Sequence, residues 1–171
     1  MKSIDTFYNG NFFRSRLEAR WAAFFDYLGV KYEYEPEGFK SENGECYLPD
    51  FYLPDTYLRG RDGKGVYIEI KPISYDNNTI PAAEWFDRNL VLFKGFPAEH
   101  NWMTVIEDGF QLYPFWDNYM TFWICKNCNT SKIEFAESSY DSCPICGSKV
   151  NYQILEDAGL HASKIRFEHN N

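Results

Sequence analysis

The chain has 171 residues, 44% hydrophobic and 19% aromatic, which is enough to build a packed core and excludes a disordered chain. Its net charge of −8 and pI of about 4.9 exclude a uniformly basic binder of polyanions and leave only local basic surface for that task. No apolar run approaches the roughly 20 residues of a membrane span, and Met1-Lys2-Ser3-Ile4-Asp5 has no apolar leader core, so a cytoplasmic, reducing location is expected.

In chain order, Phe13 to Leu28 carries Leu17, Trp21, Phe24, Phe25 and Leu28 at helical spacing, and Gly29 is a natural stop. Val30 to Glu35 alternates like a half-buried strand, ended by Pro36 and Gly38. Tyr47 to Leu53 reads as a second strand. Val66 to Lys71 reads as a third, after the turn-forming Gly60 to Gly65. Pro81 to Arg88 suits a short helix and Leu90 to Phe93 a buried strand. His100 to Tyr119 reads as strands and loops, and Leu155 to Phe167 as a final helix. The abundant rings serve first as core, with base stacking as the other use.

Two CxxC pairs, Cys125/Cys128 and Cys143/Cys146, are separated by 14 residues. In a reducing compartment this spacing presents four thiolates to one tetrahedral zinc, and the intervening segment, Ile133 to Tyr140, is long enough for a β-hairpin. A zinc ribbon is therefore expected, structural in role and able to touch nucleic acid or a protein. Cys46 lies outside it and reads as a semi-buried apolar filler. His100, His161 and His169 have no spacing that suggests a site.

Side chains alternate along a strand, so Glu69 and Lys71 share one face while Ile68 and Ile70 take the other. If the second strand pairs with the third, Asp50 comes opposite Glu69; a one-residue slip would turn it away. Glu18 on the first helix is placed to lean over the sheet. Converging carboxylates hold hard divalent cations, and a nearby lysine suits an attacking water. Taken singly, Glu69 and Lys71 also read as a solvated strand pair and Asp50 as a strand-end acid. Asp55 follows a second Pro but lies beyond the strand.

Pro49-Asp50 followed by Glu69-Ile70-Lys71, after a helix carrying Glu18 within Phe13 to Ala22, resembles the PD-(D/E)XK nucleases of restriction-endonuclease type, in particular phage and bacterial members. The resemblance covers about Phe13 to Gly95. It implies an α/β core of helix, three-strand meander, helix and strand, with Asp50, Glu69, the Ile70 carbonyl and Glu18 binding Mg²⁺ or Mn²⁺ and Lys71 handling the water. The expected organisation is a nuclease-like core over 1–120, the ribbon over 121–150, and a C-terminal helix over 151–171 packing on the core.

The function implied is a metal-dependent DNA endonuclease. A non-catalytic nucleic-acid- or partner-binding protein on the same core, and an RNA nuclease, stand as alternatives. Arg14, Arg16 and Arg20 on the helix, Arg59, Arg61 and Lys64 in the turn before the third strand, and Lys164 and Arg166 in the tail are candidate phosphate contacts. No membrane partner is expected. Oligomeric state and DNA preference stay open.

Overall fold

A computed structural model describes residues 4–58, 62–75, 81–97, 103–107, 110–112, 120–135, 142–151 and 153–167. Its elements are β1 (Thr6–Tyr8), β2 (Asn11–Phe13), α1 (Arg16–Leu28), β3 (Glu33–Tyr34), β4 (Phe39–Lys40), β5 (Cys46–Tyr47), β6 (Phe51–Leu53), β7 (Thr56–Leu58) and β8 (Val66–Lys71). A 3-10 turn at Pro81–Glu84 follows, then β9 (Leu90–Lys94), β10 (Met103–Glu107), β11 (Phe110–Leu112), β12 (Met120–Ile124), β13 (Ser131–Phe135) and α2 (Gln153–Lys164). The class is mixed α/β.

The main sheet has the order β11-β10-β9-β8-β6-β3. Its β8–β9 pair is parallel and the other pairs are antiparallel. One face carries Phe51, Leu53, Ile68, Ile70, Val91 and Phe93, buried in one cluster with Trp21, Ala22, Phe25 and Leu28 of α1. Burying side chains of this size contributes about 1.5–3 kcal/mol each, so this α1–sheet layer is the main source of stability. Trp21 also donates its indole N–H to the Gly95 carbonyl at 3.0 Å, which leaves no buried polar orphan there. The opposite face is a smaller cluster of Tyr67, Phe86 and Leu90, lined by Phe39, Tyr47, Tyr52 and Trp85.

Several elements differ from the sequence expectation. Phe13 belongs to β2, and α1 starts at Arg16 because Ser15 caps it: the Ser15 hydroxyl accepts the Glu18 N–H at 3.1 Å. The helix ends as expected, with Gly29 left-handed at φ 71° and its N–H bonded to the Asp26 carbonyl. The expected strand from Val30 to Glu35 is only Glu33–Tyr34, cut short by a left-handed Glu35 at φ 46°. The expected strand from Tyr47 to Leu53 is broken between β5 and β6, where Pro49 supplies no N–H for a ladder. Pro81–Glu84 is a 3-10 turn rather than part of a longer helix. Cys46 is exposed, not a semi-buried filler.

A second sheet, β12-β13-β7, places a β-hairpin around the first CxxC turn of the expected ribbon, and its inclusion of β7 was not expected. Residues 136–140 of the expected Ile133 to Tyr140 hairpin lie outside the described residues. Within it β12 and β13 form an antiparallel pair, and β13 runs parallel to β7 with Ser131 beside Thr56. The hydroxyls of those two residues lie 2.7 Å apart in the interior. Phe122, Ile124 and Ile133 join the main core cluster, so the strands flanking the first CxxC turn share the core's interior. Helix α2 packs on α1, with Ala158 and Ala162 fully buried. No helix among the described residues is long and apolar enough to cross a membrane.

Candidate functional site

Asp50 sits one residue before β6. The β6–β8 register pairs Phe51 with Ile68, so its continuation sets Asp50 across from Glu69. Two backbone bonds fix the position. The Ile70 N–H donates to Asp50 Oδ2 at 2.7 Å, and the Glu35 N–H donates to the Asp50 carbonyl at 2.9 Å. The left-handed Glu35 thus turns β3's end toward Asp50, and its carboxylate pairs with Arg14. Arg14 Nη2 also lies 3.7 Å from Asp50 Oδ1.

Glu69 is held by two donors. The Tyr47 hydroxyl donates to Oε2 at 2.8 Å, and the Lys71 ammonium pairs with Oε1. Glu18 is held at the capped end of α1, where the Ser15 hydroxyl donates to Oε1 at 2.6 Å and the Tyr34 hydroxyl to Oε2 at 2.7 Å. The Tyr34 oxygen in turn accepts the Arg14 N–H at 2.9 Å.

Burial pushes the Asp50 carboxyl well above the usual carboxylate range; the charges of Glu69 and then Glu18 push the same way. The Ile70 N–H and Lys71 offset only part of this. Burial alone would lower Lys71, but Glu69 outweighs it and holds the ammonium above its ordinary value. Burial and the neighbouring Glu69 push the Tyr47 hydroxyl strongly upward, so it stays a donor. Asp50 therefore sits among like charges with too little compensation, an arrangement that favours an arriving cation or a retained proton.

The other candidates lie apart. Asp55 is a surface acid, 3.1 Å from Lys31 and 3.6 Å from Lys64, and both cations lower its pKa. Arg20 donates to the Ala162 and Ser163 carbonyls at the end of α2, at 2.6 and 2.8 Å. It thereby caps the C-terminal end of α2. Arg16 is half-buried at the start of α1; Lys164 ends α2 and Arg166 follows it, both exposed. Arg59 and Arg61 lie outside the described residues, as do His100 and His169. His161 stacks near Tyr27, with centroids 5.0 Å apart.

The cysteines form a second constellation. The ligand atoms of Cys125, Cys128, Cys143 and Cys146 all lie within 4.8 Å of one another, and among the described residues they are the one set of three or more His, Cys, Asp or Glu to converge as a metal site would require. Each CxxC turn is built the same way. The first Cys donates its N–H to the carbonyl five residues on, Thr130 or Ser148, at 2.8 and 2.7 Å. The residue after the second Cys, Asn129 or Gly147, is left-handed. The sulfurs of Cys125 and Cys146 are 3.5 Å apart and those of Cys128 and Cys143 3.7 Å. Those distances are far too long for disulfides. Four thiolates about 2.3 Å from a central zinc span edges of about 3.8 Å, so the set could hold a structural metal such as zinc. Hydrogen bonds from Ser148 and Asn127 pull the Cys146 thiol down to about 5, whereas burial pushes Cys125 up to about 11.

Sequence reasoning missed the residues that hold the acids: Ser15, Tyr34 and Tyr47. Only Ser15 had left a signal, since Ser15 and Glu18 stand at the spacing of a helix-capping pair. Comparison with known family models, with curated proteins and with solved structures gives no match for this chain.

Proposed function

We propose that this chain is a metal-dependent DNA endonuclease on a PD-(D/E)XK-type core, acting at Glu18, Asp50, Glu69 and Lys71. The observation that carries the reading is the buried Asp50, locked by the Ile70 amide across from the Glu69–Lys71 pair and crowded by two other carboxylates. The donors fit a hard divalent cation such as Mg²⁺ or Mn²⁺, which prefers oxygen, and the uncompensated charge at Asp50 is what such an ion relieves. Asp50 and Glu69 would hold it, with the Ile70 carbonyl and Glu18 completing the shell. When bound, the ion supplies charge for the leaving oxygen and acidifies a water. Lys71, held as an ammonium, would position that water and offset the negative charge it gains on losing its proton, while Tyr47 and Tyr34 orient the acids. The water oxygen would bond to phosphorus as the P–O bond to the leaving oxygen breaks, the water's proton passing to a site carboxylate and the leaving oxygen taking a proton from solvent. The cysteine centre supports the fold in this reading.

A binding protein without catalysis is the second reading. It draws on one observation: every carboxylate already accepts a protein donor and, among the described residues, the acids do not close around a common point as the cysteines do. One experiment separates the two. Supercoiled, linear, single-stranded and branched DNA, and RNA, are incubated with the protein in Mg²⁺, Mn²⁺ or EDTA. Metal-dependent DNA cleavage that disappears in Asp50→Ala, Glu69→Ala and Lys71→Ala is expected. Binding without cleavage would favour the second reading, and RNA cleavage alone would shift the substrate.

A further inference from the structure

Among the described residues, the buried charged side chains are Glu18, Asp50, Glu69 and Lys94. Three are the acids of the candidate site. Lys94 is 5% exposed, as buried as the acids at 4–8%. Removing an ammonium from water costs several kcal/mol, so a buried lysine is held by partners, and these fix where its charge lies.

The sheet register connects Lys94 to the same site. Strands β8 and β9 are parallel, and Lys94 lies directly beside Lys71. Neighbours in register project from the same face, so Lys94 shares the face of Glu69 and Lys71. The Gly95 N–H donates to the Lys71 carbonyl at 2.9 Å, which locks the two strand ends together. Both ammoniums approach one ring: Lys71 Nζ lies 5.7 Å and Lys94 Nζ 5.8 Å from the Tyr75 centroid. Lys94 also donates to the Tyr75 carbonyl at 2.5 Å. Two cations held at one ring make a positive end to the acidic cluster.

We infer that Lys94 is a further catalytic residue of this site, an ammonium that, with Lys71, binds a non-bridging oxygen of the scissile phosphate. The inference rests on the nuclease reading and gives its substrate phosphate a specific contact. Lys71 pairs with Glu69, and Lys94 brings a second ammonium to the same end of the cluster. A dianionic transition state needs a further donor, and donors fixed in advance in a dry site are worth most there.

The test uses the full chain and the DNA form that wild type cleaves best. Cleavage is measured in Mg²⁺ at saturating DNA. Binding of the same fluorescein-labelled DNA is followed by anisotropy in Ca²⁺ across a salt series. Lys94→Met keeps the buried methylenes and removes the charge. It is expected to slow cleavage by about 100-fold, the loss typical of one fixed donor. It should also reduce the slope of log affinity against log salt by about one, as for one lost phosphate contact. Lys94→Arg should restore the slope and part of the rate.

A Lys94→Met protein with wild-type rate and slope overturns the inference and leaves the nuclease reading intact. A slowed variant with an unchanged slope, or two variants that both melt well below wild type, makes Lys94 a core cation and also overturns it. A wild type that neither binds nor cleaves DNA sinks the nuclease reading, and this inference with it.

Discussion

The cysteine centre and the acidic cluster are both collections of potential metal ligands, yet they are built in opposite ways. The four thiols converge at the edge lengths of a zinc tetrahedron, and their surroundings of Trp123 and Val150 form only a small cluster. The acids are buried, each already bonded to a hydroxyl, an amide or an ammonium. A turn region with so little apolar area of its own would gain much of its local stability from a bound metal. A site framed by a packed sheet and its own hydrogen bonds stands without one. The contrast separates thiols whose convergence could hold a structural metal from buried, unevenly compensated charges of the kind that functional sites concentrate.

The largest effect should break the first half of that contrast. Cys125→Ser should reduce the zinc content from about one ion per chain to near none and melt the cysteine segment, because structural zinc is worth on the order of 10 kcal/mol. Elemental analysis and thermal melts check this; zinc-free wild type with an intact fold would remove the centre. A smaller change probes how the centre is anchored. Thr56→Val leaves the buried Ser131 hydroxyl without its partner and should cost about 1–3 kcal/mol, read from denaturant midpoints.

The acidic cluster should respond with the opposite sign. Asp50 holds its proton more tightly folded than unfolded, so its contribution favours folding below the ordinary carboxylate range and is lost as pH rises through the raised folded value. Asp50→Asn should therefore leave metal-free protein as stable as wild type at pH 7, or stabler by about 1 kcal/mol, the scale of one pKa unit. Melts in EDTA and in Mg²⁺ decide the point: Mg²⁺ should raise the wild-type melting temperature and barely move the variant's. A strongly destabilised Asp50→Asn would make Asp50 a structural acceptor. Asp55→Ala should be the quietest change, within about 0.5 kcal/mol and without effect on cleavage, as for an exposed ion pair.

Much of this was legible in the sequence where one strong local signal decided the structure. Val66 to Lys71 is a strand over its whole expected length, because alternation and a closing Pro72 agree. Gly29 ends α1 because a left-handed residue is required there. The cysteine spacing was enough to bring four sulfurs together. The β1–β2 hairpin was readable and overlooked: Asn9-Gly10, both left-handed, is the dipeptide that a two-residue hairpin turn favours. Other features left no local trace. Strand β7 is three residues long and exists through its pairing with β13. Lys94 looks like the polar end of an apolar strand until the parallel register sets it beside Lys71. Tyr34 and Tyr47 are two among 13 tyrosines, and only tertiary contact singles them out.

The parallel seam between β7 and β13 also constrains the order of events during synthesis. Thr56 and Ser131 are 75 positions apart. A ribosome adding about 5–20 residues per second needs roughly 4–15 seconds to cover that distance. Through that interval β7 has no partner on the side that β13 will occupy, and an unpaired strand edge is a template for pairing with other chains. A nascent chain stalled between these two strands should therefore aggregate more readily than one stalled before β7 or released after the second CxxC turn.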